Sequence, residues 1–227
     1  MSPGLIYANA VFFLRAGGIS LLIFFFSALF SIVISLAFGS LASSQNRALR
    51  APARVVIEFF RDVPQIVSVF FVFFGAPAFG LQLGPVEATI ISLSLWGGAN
   101  GAEIVRGGIN SIPTRQFEAC RALGLRGIDA FIFIILPQAI KPVIPAYGGL
   151  CTVLLQSTAL GALIGATELL KSAQIVIERA AFAHGGMPGI TVYGFILVVY
   201  FTISSGLMRG TRLIERAFRP GRQRRQP

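Results

Sequence analysis

Long apolar runs alternate along the chain with short segments that hold nearly all of its charge. A helix that crosses a bilayer needs roughly 20 mostly apolar residues. Five windows qualify when glycine and proline are read as boundaries or kinks, near 18–42, 64–83, 86–106, 142–163 and 190–208. The connections then sort by charge. Segment 45–62 carries Arg47, Arg50, Arg54 and Arg61, segment 107–131 carries Arg115, Arg121 and Arg126, and seven arginines follow Met208. The other side holds Arg15, Lys171 and Arg179. Because Lys and Arg accumulate on the cytoplasmic side, the pattern predicts an all-α integral membrane protein with five transmembrane helices, N-terminus outside and C-terminus cytoplasmic. The whole of 1–227 is expected to form a single transmembrane domain.

Composition supports the bilayer. With 55% hydrophobic residues, 12% charged and a mean hydropathy of +0.77, too little polar side chain is present to cover a soluble fold. The net charge of +10 raises nucleic acid as a partner, but the arginines come in short groups between apolar spans, which is the layout of membrane loops. Nucleic-acid binding is excluded on that ground. Cys120 falls in a basic segment and Cys151 in an apolar span, so both are expected to be free thiols. The N-terminal run is too long for a cleaved signal and is expected to stay as a helix.

Within the spans, Ser27, Ser31, Ser35 and Gly39 recur every four residues, a small-residue stripe suited to close helix packing. In Trp96-Gly-Gly-Ala-Asn-Gly-Ala-Glu103, Asn100 and Glu103 share a helix face, and the glycines permit local unwinding. Glu103 is either a functional intramembrane acid or the partner of Arg106, three residues on. Pro137, Pro142 and Pro145 are expected to break the chain as it enters the fourth span, which ends in Gln156, Ser157 and Thr158. These three either line a polar path or bond between helices. Residues 166–184 alternate apolar and polar positions as an amphipathic helix on the outer face, with Glu168 among the polar ones, and His184 follows in a loop.

Several chemistries are missing. No Gly-x-x-x-x-Gly-Lys-Ser/Thr loop occurs, and one histidine cannot build a catalytic triad or a metal site. An enzyme is not expected, and neither metal nor cofactor is assigned to this chain. Five helices bury little alone, so partners are expected.

Segment 112–137 is charged and centred on a glycine. Its pattern predicts a helix over 116–123 capped by Gly124, then a second short run from Ile128 that stops at Pro137, forming a cytoplasmic elbow. Such a helix either docks on a soluble partner or lies at the interface.

Here the residues resemble a known family. Glu118-Ala119-Cys120, Gly124 and Ile134-x-Leu136-Pro137 match, with the same spacing, the E-A-A, G, I-x-L-P signature of ABC importer permeases, Cys120 standing for the second alanine. Phe60-Arg-Asp-Val-Pro64, Ala102-Glu-Ile-Val-Arg-Gly107, Ile112-Pro-Thr-Arg-Gln-Phe-Glu118, Leu136-Pro-Gln-Ala139 and Glu168-Leu169 are similar to motifs of the polar amino acid subfamily. Asp62, Arg115 and the segment Gln156-Ser-Thr-Ala-Leu160 depart from that subfamily's F-R-G-T-P, I-P-x-G-Q-x-E and K-D-T-S-L.

The resemblance implies a multi-pass permease subunit of a bacterial cytoplasmic (inner) membrane. It would work with two ATP-binding subunits, a second permease of the same or a homologous chain, an external solute-binding protein, membrane lipid and an amino acid substrate. ATP and magnesium would sit on the partner ATPase. It also implies that Glu118, Ala119, Cys120, Gly124, Leu136 and Pro137 carry the coupling to that ATPase. Asn100, Glu103, Gln156, Ser157 and Thr158 are then the candidates for the substrate path, and a glutamate there would suit a cationic amino acid. A secondary transporter or channel, or the non-binding half of a heterodimeric permease, is the alternative.

Overall fold

A computed structural model describes residues 4–125, 127–184 and 189–218; Arg126 and four of the seven arginines of the expected cytoplasmic tail lie outside them. Among the described residues there is no strand. The helices are α1 (Gly4–Ala8), α2 (Ala10–Ala42), α3 (Arg47–Asp62), α4 (Gln65–Gly75, extended by a 3₁₀ turn Ala76–Phe79) and α5 (Pro85–Asn110). Then follow α6 (Thr114–Ala122), α7 (Gly127–Ala130), a π-turn Phe131–Ile135, α8 (Leu136–Ser157), a 3₁₀ segment Thr158–Ile164, α9 (Leu169–His184) and α10 (Gly189–Phe218).

Three stretches are long and apolar enough to cross a membrane by length and composition: Ala10–Ala42, Gly127–Ile164 and Gly189–Ala217. The apolar stretch Gln65–Phe79 is shorter, and α5, though 26 residues long, carries Glu87, Glu103 and Arg106. The first helix starts at Ala10 rather than near 18, because Arg15 sits exposed on its surface and interrupts nothing. A long arginine can lay its stem along an apolar helix and keep its head in a polar layer.

The centre of the fold is the seam between α2 and α5. Ser27, Ser31 and Ser35 are fully buried in it, as the four-residue spacing predicts. Ser35 Oγ lies 2.6 Å from the Ser31 carbonyl and 3.1 Å from that of Gly98, and Ser27 Oγ donates to the Ile90 carbonyl at 3.4 Å. The two helices therefore bond across the seam where no water could serve. The unwinding that the glycines of α5 would permit does not occur, and the helix is continuous through 97–101. Those glycines act through the Cβ they lack: a methyl on Gly98 would meet Ile34, and one on Gly101 would meet the Ser35 hydroxyl. Close approach, not flexibility, is what they supply.

The expected break at Pro137 is also absent. The second run of the elbow passes through the π-turn directly into α8, with Pro137 in its first turn and Pro142 and Pro145 inside it. A first-turn proline lacks only an N–H that need not be paired there, and the wider π-turn takes up the mismatch, with the Leu136 N–H reaching the Phe131 carbonyl. At the N-terminal end of α2, α9 packs Leu169, Ala173 and Val176 against Phe13 of α2 and Val192 and Ile196 of α10. Its polar partners from the sequence pattern behave as expected except Glu168, which is fully buried, and His184 closes the helix rather than lying in a loop. Cys120 and Cys151 are both free.

Candidate functional site

The elbow is built by its cap. At Gly124 the backbone turns left-handed, φ +70°. The Gly124 N–H donates to the Arg121 carbonyl at 3.0 Å, and the Leu125 N–H donates to that of Cys120 at 3.1 Å. This pair of bonds closes a helix end on a residue of positive φ, a conformation that strains any residue with a Cβ. The cap turns the chain so that Leu123, on the inward line of Phe117 and Cys120, is 74% exposed. Glu118, Ala119 and Gly124 are exposed too.

Cys120 does not join them. It is 3% exposed and faces its own chain, so the structure removes it from the outer surface of the elbow. Leu136 is half-buried and Pro137 exposed at the head of α8, connected to the elbow through the π-turn. Behind α6, a cavity of about 700 Å³ opens towards the α2–α3 turn, lined in part by Ser40, Ser44, Asn110, Thr114, Glu118 and Arg121.

The candidate path residues divide. Asn100 is half-buried and its Nδ2 donates to the Trp96 carbonyl of its own helix at 2.9 Å. Glu103 is clamped by Arg106: Nε reaches both carboxylate oxygens at 3.0 and 3.1 Å and Nη2 lies 2.6 Å from Oε2. Arg61 of α3 adds a longer contact at 4.0 Å. Of the two readings of Glu103, the ion pair is the one observed. Gln156 is exposed, whereas Ser157 and Thr158 are buried. Ser157 Oγ donates to Gln65 Oε1 at 2.8 Å, and Thr158 Oγ1 donates to the Leu155 carbonyl at 2.8 Å and lies 3.4 Å from the Tyr200 hydroxyl.

Gln65 was missed in the sequence, and Glu168 was read there only as a polar position of the amphipathic pattern and a match to the subfamily. Gln65 opens α4 beside Ser157, and its Nε2 is buried without a partner. A glutamine heading an apolar run directly after Pro64 was the available signal. Glu168 precedes α9 and caps it, accepting from the Lys171 N–H at 2.9 Å, while the Tyr200 hydroxyl donates to its other oxygen at 2.9 Å and Ser20 Oγ lies 3.3 Å from it. Ser20 in turn accepts from the Leu169 N–H at 3.1 Å. A helix N-terminus favours a carboxylate, so this buried acid is held by dipoles and hydroxyls alone. Among the described residues no cluster of His, Cys, Asp or Glu could hold a metal ion.

Comparison with known proteins finds relatives in sequence and in overall fold. Residues 32–219 match the family described as the binding-protein-dependent transport system inner membrane component. A protein of Sinorhizobium fredii (strain NBRC 101917 / NGR234) named as a probable amino-acid ABC transporter permease is 35% identical over 196 residues, covering 84% of this chain and 80% of its own. One of Bacillus subtilis (strain 168) named as a probable glutamine ABC transporter permease is 30% identical over 198 residues, covering 86% and 89%. The crystal structure of an amino acid ABC transporter with histidines superposes with a TM-score of 0.83 at 25% identity, over 96% of this chain and 99% of that one.

Proposed function

The chain belongs to the binding-protein-dependent transport system inner membrane components, the permease subunits of ABC importers, and from that premise we propose that it forms one half of a path for a polar amino acid. It is not itself an enzyme; ATP is hydrolysed on separate subunits. The observation that carries the coupling is the elbow, where Glu118, Ala119, Leu123 and Gly124 stand exposed on a short helix with a rigid left-handed cap. Two ATP-binding subunits engage this elbow and its counterpart on a second permease, and an external binding protein delivers the substrate. ATP closes the ATPase pair, the elbows move with it, and the two bundles favour an outward-facing state that hydrolysis resets.

Five crossings fit this role: α2, α4 with its 3₁₀ turn, α5, the α7–α8 stretch and α10, with α3 on the cytoplasmic side between the first two. The window 64–83 corresponds to α4 with its 3₁₀ turn, and α3 is a separate helix that ends before Val63-Pro64. The N-terminus outside and the C-terminus inside follow from the arginines of 45–62, 107–131 and the chain end. The membrane is the bacterial cytoplasmic membrane.

Asn100, Gln156, Ser157 and Thr158 supply amide and hydroxyl groups without net charge, and Glu103 is occupied by Arg106. With Glu103 paired to Arg106, the remaining candidates favour an uncharged polar amino acid, in line with the relative named for glutamine, while the solved transporter with histidines keeps the cationic reading as the alternative. The non-binding half of a heterodimer is a second reading, favoured by Ser157, whose hydroxyl is already used by Gln65 of the same chain.

The test is uptake by proteoliposomes holding the full complex. The account expects amino acid accumulation only with ATP inside and loaded binding protein outside; flux through the purified chain alone would favour a channel or secondary transporter. Tagging the chain in its native membrane separates the permease readings, since one co-purifying permease species supports a homodimer and two support the divided one.

A further inference from the structure

Helix α7, the π-turn and α8 form one unbroken helical run, Gly127–Ile164. Pro137 therefore stands well inside helix, with turns on both sides of it. In an ordinary α-helix its ring would press on the Phe133 carbonyl, four residues back, and it has no N–H to give that oxygen. The turn widens instead. The Leu136 N–H reaches back to the Phe131 carbonyl, and the Gln138 side chain donates from Nε2 to the Ile134 carbonyl at 3.0 Å. Single π-turns of this kind are rare, and here a proline bars the α-helical alternative.

A π-turn takes one residue more than an α-turn, so it changes which way everything before it faces. Phe131 and Ile134 pack on buried Ile135, together with Val105 and Ile109 of α5, Phe117 of α6 and Ile112 between those helices. Ile132 and Phe133 face outward, Phe133 being 75% exposed. In a plain α-helix running back from α8, the part before the turn would be rotated by one residue's step, roughly 100°. The elbow would swing with it. Phe117 and Cys120 would leave the inner side, and Glu118 and Leu123 would no longer face as they do.

We propose that Pro137 is a positioning residue for the ATPase stroke: it keeps the turn Phe131–Ile135 in its π form, and that form sets the direction in which α8 presents the elbow. Pro137 acts through the backbone before it. A contact between its exposed ring and the ATPase would instead leave the direction of the elbow unchanged when the ring is removed, and that difference decides between the two accounts. The inference rests on the coupling reading given above, so its first readout needs no ATPase.

Cys120, 3% exposed on the inner side of α6, reports the direction of the elbow once Cys151→Ser leaves it as the one thiol of the chain. The purified full chain in detergent is treated with a water-soluble maleimide, and labelling should be slow. Pro137→Ala lets the α-form close, and labelling should become at least about tenfold faster as a thiol protected by packing is opened. Deleting Phe133 in the Pro137→Ala chain removes the extra residue, so a plain α-helix restores the direction and labelling should return to the slow rate. In the full complex, the ATP hydrolysed per amino acid taken up should rise in Pro137→Ala and return in the shortened chain. Unchanged labelling in Pro137→Ala, or fast labelling in both variants, would overturn the role given to the π-turn. Labelling that follows the expected order with an unchanged ATP ratio would keep that role and overturn the coupling reading.

Discussion

Glu168 and Glu103 are two acids that the structure holds by opposite means. Glu168 is fully buried beside the N-terminal half of α2 and meets a helix N-terminus, a tyrosine and a serine, with no cation among its hydrogen-bond partners. Glu103 stays about a quarter exposed and is gripped by a guanidinium. The first arrangement joins α2, α9 and α10 through groups of fixed geometry. The second is a charge clamp within α5, with a 4.0 Å contact to Arg61 of α3, that water and salt can reach. One site is therefore fastened by burial and the other is open to water and salt.

Variants that break this contrast should rank in a definite order. Glu168→Ala strands the Lys171 N–H and the Tyr200 hydroxyl at once, and hydrogen bonds to a charged group contribute about 1.5–3 kcal/mol each, so thermal unfolding of the purified chain should show a loss of about 3 kcal/mol or failure to accumulate. Gly101→Val should follow, at about 1–3 kcal/mol, because its side chain must displace Ser35 at the α2–α5 seam; a separation of those helices would appear as faster proteolysis. Tyr200→Phe removes one donor from Glu168 and should cost about 1–2 kcal/mol. Glu103→Gln should come last, below about 1 kcal/mol, since the pair with Arg106 is partly exposed. The contrast sharpens with salt: 0.5 M NaCl should shrink the Glu103→Gln effect and leave that of Glu168→Ala unchanged. Equal salt sensitivity at both sites would show that burial does not distinguish them.

Much of this was written in the pattern of residues. The four-residue serine stripe announced the α2–α5 seam, and a glycine four residues beyond Cys120 announced a capped elbow. Other features were not legible, for physical reasons. Proline penalties assume an ordinary helix, and the π-turn before Pro137 changes that geometry. Glycines that loosen a helix in isolation are compatible with a straight one when a neighbour fills the space above them, as Ile34 does over Gly98. Glu168 fitted the polar side of an amphipathic pattern, but its partners Ser20 and Tyr200 lie 148 and 32 residues away, beyond the reach of any local periodicity. Gln65 and Ser157 met for the same reason, across 92 residues.

The claim at the centre of the account is that α6 transmits the ATPase stroke through its exposed face and its cap. It is tested most directly by the number of ATP molecules hydrolysed per amino acid taken up, measured in proteoliposomes of the full complex with Glu118→Lys and with Gly124→Val. A charge reversed on the exposed face, or a β-branched residue forced to φ +70°, should leave the complex inserted and raise that ratio tenfold or more as uptake fails, by the convention that ~1.4 kcal/mol of lost coupling is one decade. An unchanged ratio with normal uptake in both variants would contradict the account.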